Sequence, residues 1–256
     1  MESATSKVLQ GNIPHILEII FLKLDYEAFK TCFEVSKDWR EILKSKSFLE
    51  RAKLQFAAEI TMDQEKLVKA CREGDIEKIN GLLSTDLLNI NQMEYNSAPL
   101  IEATFWGKVN AVKLLLQRGA DPNIMDDYGY TALLLIIHHA NDFNQGQIDV
   151  VHALLDGGAD PNVTNDDEET PISLALSWMS FDHKLAYLYN LQLAFIKALI
   201  DAGAKLTDKD KQKLNKLPSE MAKKLKEVEK QKKEAEKQEK ELISAHGLMD
   251  SISHYI

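Results

Sequence analysis

A unit that recurs along the chain limits the possible folds more than any other feature of the sequence. The motif Gly-Ala-Asp-Pro-Asn occurs at residues 119–123 and again at 158–162, and Gly-Ala returns at 203–204. Within residues 98–123, apolar residues at helical spacing form two short blocks separated by Gly107. This pattern predicts two antiparallel helices joined by a turn. Because two helices this short cannot bury a core of their own, neighbouring copies have to cover them.

Four copies of the unit follow one another along the middle of the chain. They span residues 67–91, 98–123, 131–162 and 170–206, and the first of them is degenerate. The pattern resembles the ankyrin repeat, which has a Thr-Pro-Leu-like helix start, a central glycine and a Gly-Ala-Asp-x-Asn end at a period of about 33 residues. The resemblance implies an all-α fold, a solenoid of helix pairs with short hairpin turns and a concave face.

The third and fourth copies are longer than the family period. The Gly-Ala motifs are 39 residues apart between 119 and 158, and 45 residues apart between 158 and 203. This spacing places the extra residues at 140–145 and 179–190, as loops or helix extensions. In the regular parts, the register predicts core positions between the helices at Leu114, Leu115, Leu154 and Leu155.

The N-terminal segment is too apolar for helices that face solvent on one side. One block contains Ile16, Leu17, Ile19, Ile20, Phe21 and Leu24, and the next contains Phe29, Cys32, Phe33, Val35, Trp39, Ile42 and Leu43. Their spacing predicts a helical trio of roughly 40 residues, with Asp25 capping the second helix. Because a domain of that size is only marginally stable, it should lean on a partner or on the next domain.

The order of motifs in this segment resembles the F-box, whose pattern is Leu-Pro, Ile-Phe, Leu-Asp and Val-Cys-Lys-x-Trp. The chain has Ile13-Pro14, Ile20-Phe21, Leu24-Asp25 and Val35-Ser36-Lys37-Asp38-Trp39. It departs from the family where five residues instead of six separate Pro14 from Ile20, and where Ser36 replaces the cysteine.

The F-box resemblance implies docking on the Skp-type adaptor of a cullin–RING ubiquitin ligase. Carried over by position, the adaptor-binding residues are Ile13, Pro14, Ile16, Leu17, Ile20, Phe21, Leu24, Val35 and Trp39. The alternative interpretation is that these residues form a small internal core against the repeats.

A pair of positions closes the first helix of each copy and can be aligned between the copies. The pairs are Arg72-Glu73, Phe105-Trp106, His138-His139 and Ser177-Trp178. In the ankyrin fold these positions lie on the concave face, where aromatic residues can anchor an interface, and acidic turns favour a basic partner. The predicted target-binding residues are Tyr95, Phe105, Trp106, Asp127, Tyr128, His138, His139, Asp167 and Trp178. Alternatively, an inserted loop or the C-terminal segment covers the aromatics.

Metal binding and disulfide formation are not indicated. Neighbouring residues on a helix point about 100° apart, and no Cys, Asp or Glu stands at ligand spacing beside His138 and His139. The two cysteines, Cys32 and Cys71, are far apart in the sequence. The sequence therefore predicts no metal, no cofactor and a reducing compartment.

Charge and composition separate the chain into segments. Residues 1–204 carry 18 Lys and Arg against 30 Asp and Glu, whereas residues 205–241 carry 13 against 9. The negative body argues against a nucleic-acid surface. Pro218 opens a run of helix formers that extends to about Ala245, before an apolar terminus. The predicted division is an F-box-like domain at 1–51, a helical connector at 52–64, ankyrin repeats at 65–206, and a charged C-terminal helix with an apolar terminus at 207–256.

The two resemblances together imply a non-catalytic substrate-recognition subunit of a ubiquitin ligase. No phosphate loop, nucleophile elbow or His-Glu-x-x-His motif occurs. Without a signal-like N-terminus or a long apolar stretch, an intracellular protein of cytoplasm or nucleus is expected. The alternatives are a non-ligase ankyrin scaffold, a secreted bacterial effector that mimics a host F-box protein and acts in the host cytoplasm, and a small hydrolase-like enzyme suggested only by unassigned histidines. Co-purification with a Skp-type adaptor separates ligase from scaffold.

Overall fold

The computed structural model describes residues 20–35, 46–93, 97–139, 145–178 and 186–216, together with single residues between 223 and 238. This part of the chain is helical and contains no β-strand, which confirms the all-α prediction. Its helices are α1 Tyr26–Val35, α2 Lys46–Gln55, α3 Ala57–Glu73, α4 Ile76–Leu82, α5 Pro99–Phe105, α6 Val109–Gln117, α7 Ala132–His138, α8 Gln145–Asp156, α9 Pro171–Trp178, α10 Ala186–Asp201 and α11 Asp208–Lys216. None of the described helices is long and apolar enough to cross a membrane.

The chain forms two compact units, Met1–Asp121 and Pro122–Ile256. In the first unit, α1 begins as predicted at Asp25, whose Oδ1 accepts the backbone N–H of Ala28 at 2.8 Å. Helices α1 and α2 contribute to an aromatic cluster, here called the N-terminal core. Its buried members are Phe21, Tyr26, Phe29, Cys32, Phe48, Ala52, Phe56 and Leu87. The ring centroid of Phe29 lies 5.8 Å from that of Phe48 and 5.0 Å from that of Phe56.

Helix α3 belongs both to the N-terminal core and to the repeats. Ile60, near its start, packs against the N-terminal core, whereas Leu67 and Cys71, near its end, are fully buried. The helix ends at Gly74 with a φ of 76°, a left-handed conformation that glycine adopts without steric cost. The predicted division between connector and repeats, after residue 64, falls inside this single helix.

The first two predicted copies form helix pairs in the first unit. Helix α4 starts at Asp75, whose Oδ1 accepts the backbone N–H of Lys78 at 3.0 Å, and α5 has Pro99 in its first turn. Helix α3 packs against α5, and α4 packs against α6. Asn91 Oδ1 accepts the backbone N–H of Asp121 at 3.0 Å, which ties the end of the first copy to the end of the second.

The second unit uses the same connection between successive copies. Asn123 accepts the backbone N–H of Asp160 at 2.8 Å and donates its side-chain amide to the Gly158 carbonyl at 3.1 Å. Asn162 makes the equivalent two bonds to the turn at 203–205, at 2.8 and 3.1 Å. The asparagine that ends each motif therefore fixes the backbone of the next Gly-Ala turn.

Helix α11 lies in the segment 207–256, which was predicted as a charged C-terminal helix, but it ends before Pro218, where that helix was expected to begin. It begins with a capping box: the N–H of Thr207 donates to Asp210 Oδ2 at 2.8 Å, and the N–H of Asp210 donates to Thr207 Oγ1 at 3.2 Å. Lys213 Nζ donates to the Ser173 carbonyl and the Ser177 hydroxyl of α9, at 3.2 and 2.9 Å. Helix α11 thus packs on α9 and covers the fourth copy, as terminal caps do in repeat proteins.

Parts of the predicted insertions and most of the predicted tail helix lie outside the described residues. Residues 140–144 and 179–185 are outside, whereas Gln145 opens α8 and 186–190 open α10. The single described residues beyond 222 are helical, and Lys230 forms an i,i+4 ion pair with Glu234 at 3.8 Å.

Candidate protein-interaction site

Three of the nine predicted adaptor-binding residues have side chains within the described part of the chain. Ile20 is 49% exposed, Phe21 is 4% exposed, and Leu24 is partly buried against the N-terminal core. Five others lie entirely outside it: Ile13, Pro14, Ile16, Leu17 and Trp39. Val35 ends α1, but its side chain lies outside the described part as well. Ile20 therefore offers a partner more apolar surface than Phe21 or Leu24.

Phe21 lies in the N-terminal core, where its ring meets Phe48 edge-on with centroids 6.4 Å apart. Leu87, which follows the first repeat's second helix, is buried in the same cluster. The alternative interpretation, in which these residues form an internal core against the repeats, predicts such burial of Phe21. Binding at Phe21 would require its side chain to leave that core.

Phe105 and Trp106 form an exposed aromatic pair at the end of α5, here called the aromatic surface. Phe105 is 49% exposed and Trp106 is 52% exposed. Their rings meet edge to face, with centroids 5.6 Å apart and planes inclined at 76°. Two large rings that are half accessible to solvent are the kind of side chain that anchors protein interfaces.

Glu102 holds the aromatic surface in place. Its Oε2 accepts the indole N–H of Trp106 at 3.2 Å and the Nε–H of Arg72 at 3.0 Å. Arg72 comes from α3, so the carboxylate joins the first helices of two successive repeats. The hydrogen bond that Arg72 donates to Glu102 also raises the pKa of the Arg72 guanidinium. An anchor whose rotamer is already fixed loses less entropy on binding.

His138 and His139 lie at the end of α7 in the second unit and are both exposed. Their rings meet edge to face with centroids 4.9 Å apart, and the His138 ring also contacts Tyr130 at 5.1 Å. Partial burial, and then the neighbouring His138, lower the pKa of His139. Among the described residues, no group of three or more His, Cys, Asp or Glu side chains could hold a metal ion.

Two hairpin tips carry the predicted residues Asp127, Tyr128 and Asp167; they are here called the acidic tips and span 126–130 and 165–169. Tyr128 is 67% exposed, and the two predicted aspartates are exposed as well. In the first tip, Asp126 Oδ1 accepts the backbone N–H groups of Tyr128 at 2.9 Å and Tyr130 at 2.8 Å. These bonds fix the backbone that presents Tyr128.

The second tip is built in the same way, although its sequence lacks a glycine. Asn165 Oδ1 accepts the backbone N–H groups of Asp167 at 3.1 Å and Glu169 at 2.8 Å. Glu168 takes a φ of 59°, close to the 74° of Gly129 in the first tip. Asp126 and Asn165 act through their side-chain oxygens, a role that spacing alone did not indicate and that Asx-turn chemistry could have suggested.

The acidic tips belong to a long segment without positive side chains. Residues 119–183 contain twelve Asp and Glu and no Lys or Arg. Carboxylates that cluster at the acidic tips favour association with positively charged groups.

The structure brings some of the predicted target-binding residues together within each unit. In the first unit Phe105 contacts Trp106, and in the second His138 contacts His139. Tyr95 and the side chain of Trp178 lie outside the described residues. Glu102 and Arg72 were not predicted as site residues; Glu102 stands one helical turn before Trp106, a spacing that could have pointed to it.

Comparison with known proteins identifies part of the chain. The family model for the ankyrin repeat matches residues 95–127 and 128–166, which confirms the second and third predicted copies. An ankyrin repeat-containing protein of Saccharomyces cerevisiae is 42% identical over 57 residues, a match that covers 22% of this chain and 11% of the yeast protein. The chain therefore contains ankyrin repeats, and its likeness to this curated relative is limited to a small part of that protein's length.

Proposed function

We propose that this protein is the substrate-recognition subunit of a cullin–RING ubiquitin ligase. In this proposal the N-terminal helices bind a Skp-type adaptor and the ankyrin repeats bind a target protein. The observation that carries the proposal is the order of Pro14, Ile20-Phe21, Leu24-Asp25, Val35 and Trp39 on the N-terminal side of an ankyrin-repeat segment. An internal core accounts for apolar residues but does not require that order.

The chain in this role supplies binding rather than catalysis. It holds the target near the ligase and so raises the target's effective concentration there. The aromatic surface gives affinity, because Trp106 is half exposed and its indole is held by Glu102. The acidic tips favour a target with a basic surface. We place this activity in the cytoplasm or nucleus. If the protein is a secreted effector, it acts in the cytoplasm of the host cell.

A second candidate function is an ankyrin scaffold without a ligase. It is favoured by one observation, the burial of Phe21 and Leu87 in the same core. In a scaffold, the N-terminal helices would serve only to cap the first repeat, since end repeats need a cover.

Substitution of Ile20 by glutamate separates the two candidates. If the ligase proposal holds, the wild-type chain co-purifies with a Skp-type adaptor, and Ile20→Glu weakens adaptor binding at least about tenfold because it puts a charge in an apolar contact. Leu54→Glu is the matched control, because Leu54 is 81% exposed in the same unit; it should leave adaptor binding unchanged. Binding is measured by calorimetry with purified adaptor. A folded wild-type chain that binds no adaptor rules out the ligase and leaves the scaffold.

Truncation of Trp106 tests the target-binding surface. Trp106→Ala should weaken binding of a target identified by crosslinking by on the order of 2 kcal/mol, since buried aromatic anchors carry most of the energy of an interface. The stability of the chain should hardly change, because the side chain is 52% exposed. The control is Met62→Ala, at another exposed apolar residue of the first unit. Equal losses of affinity in the two variants would contradict this site.

A further inference from the structure

The N-terminal core is completed by a residue of the first repeat. Leu87 follows α4, is 2% exposed, and is buried in the cluster that contains Phe21, Phe29 and Phe48. Helix α3 passes from this core into the repeat without interruption, from Ala57 to Glu73. Within the described residues, the first repeat therefore covers part of the apolar surface of the N-terminal helices.

A buried carboxylate joins α1 to α3 at the same place. Asp63 is 3% exposed, and its two oxygens accept Lys30 Nζ at 3.0 Å and Lys66 Nζ at 2.8 Å. Lys30 belongs to α1, and its ammonium group also lies 4.7 Å from the ring centroid of Tyr26. Because the carboxylate is buried, its charge depends on these two ammonium groups for compensation.

The charges around Asp63 are consistent with a structural ion pair. Burial raises the pKa of the Asp63 carboxyl, but hydrogen bonds from Lys66 and Lys30 outweigh it and hold that pKa below its ordinary value. Burial, followed by the Asp63 charge, raises the pKa of the Tyr26 hydroxyl. Asp63 is thus ionised at neutral pH and tied to both helices.

A second polar contact joins α3 to the segment that carries Leu87. The side-chain amide of Gln64, which is 3% exposed, donates to the Asn89 carbonyl at 3.0 Å. On the N-terminal side, the amide of Gln55 donates to the Leu22 carbonyl. Helix α3 is therefore bound to the N-terminal segment through Asp63 and to the repeat through Gln64.

We propose that the N-terminal helices and the first ankyrin repeat form one cooperative unit, joined at Asp63 and Leu87, so that binding at the N-terminal helices stabilises the first repeat. A ligand that binds only the folded form stabilises everything that unfolds with it. The reverse also holds, because coupling between two sites is reciprocal. This proposal concerns the chain alone and holds whether the partner of the N-terminal helices is a ligase adaptor or another protein.

The chain contains a reporter for each half of this unit. Cys32 lies in the N-terminal core and Cys71 near the end of α3, and they are its two cysteines. Burial, and then Glu102, raise the pKa of the Cys71 thiol to about 12, and burial raises the pKa of the Cys32 thiol. Since the thiolate is the reactive form, alkylation of either cysteine reports opening of the structure around it.

The test is the rate of alkylation of each cysteine in the full chain, followed by mass spectrometry of the two peptides. Leu87→Ala should raise both rates by a similar factor, at least about tenfold, because opening of a cooperative unit exposes both thiols. Asp63→Asn, which keeps the shape of the side chain, should also raise both. Leu154→Ala, at a fully buried leucine of the second unit, is the control and should change neither.

Two results would overturn the proposal. Either Leu87→Ala accelerates one cysteine and leaves the other at its wild-type rate, or it changes neither. If Leu87→Ala does not fold, the wild-type chain gives the answer in increasing urea. Equal urea dependence of the two rates supports one cooperative unit, and different dependences show two modules that open separately. Adaptor binding is not used in this experiment, so its failure would not be confused with failure of the ligase proposal.

Discussion

Leu115→Ala is expected to lower the free energy of unfolding by about 2 to 5 kcal/mol, the usual cost of a leucine deleted from a packed core. Leu115 is fully buried in α6. Its carbonyl also accepts the backbone N–H of Ala120 at 2.9 Å, so the residue lies directly beside the turn that closes the repeat. The measurement is urea unfolding of the full chain, followed by circular dichroism.

Leu114 provides the matched control for this prediction. It precedes Leu115 in the same helix but is only partly buried. Leu114→Ala should therefore cost less than Leu115→Ala, because less apolar surface is lost and the cavity is open to solvent. A loss at Leu115 below about 1 kcal/mol, or a larger loss at Leu114, would contradict the assigned core of the repeat.

The repeats were predictable because their signals are local and recur. Glycine at the helix ends, a proline at the start of α5 and apolar residues at helical steps each specify structure over a few residues. The same patterns in successive copies then fix the register, which places Leu115 and Leu154 in the core. Leu114 and Leu155 were assigned to the core as well but are only partly buried. Spacing does not resolve neighbouring positions at the edge of an apolar stripe.

The N-terminal core was predictable as an apolar segment but not in its contacts. Nothing in the sequence around Leu87 indicates that it is buried in the same cluster as Phe29, 58 positions earlier in the numbering. From the sequence alone, Asp63 is expected to be a charged residue on a helix surface. In the structure it is only 3% exposed and forms an ion pair with Lys30 of another helix. Such contacts depend on how helices pack, and hydrophobic periodicity does not contain that information.

Helix α11 was not predicted as a separate helix before Pro218, because its sequence has little of the pattern on which helix prediction rests. The segment Asp-Lys-Asp-Lys-Gln-Lys-Leu-Asn-Lys contains one apolar residue. Its one local signal is the Thr207-x-x-Asp210 capping box. Further support comes from Lys213, which donates hydrogen bonds to α9. A polar helix of this kind is specified by its tertiary contacts more than by propensity.

The candidate site was predictable as a column of residues but not as a linked arrangement. Arg72 and Phe105 stand one repeat period apart in the sequence, so their equivalence was evident. That Arg72 extends to Glu102, and that Glu102 also holds the Trp106 indole, depends on side-chain rotamers. Periodicity assigns a residue to a face of the repeat and leaves open which neighbour its side chain reaches.

Gly129→Ala is expected to destabilise the second unit by about 2 to 5 kcal/mol, through backbone strain together with steric overlap. Gly129 has a φ of 74°, and a Cβ there would lie 2.8 Å from Asp166 Oδ1 and 2.9 Å from the Asp166 backbone nitrogen. The backbone nitrogen cannot move aside as a flexible side chain could. The two acidic tips therefore meet at a position that only glycine fits.

Gly158→Ala separates the strain from the overlap. Gly158 has a φ of 92°, but a Cβ there would meet nothing within 4 Å. This variant should cost only the backbone strain, about 1 to 2 kcal/mol. Both variants are compared with wild type by urea unfolding. Equal losses would show that the contact between the tips does not constrain residue 129. A larger loss at Gly129 would mean that Asp166 keeps its position only because residue 129 has no side chain. The arrangement of carboxylates that a basic target meets would then depend on Gly129.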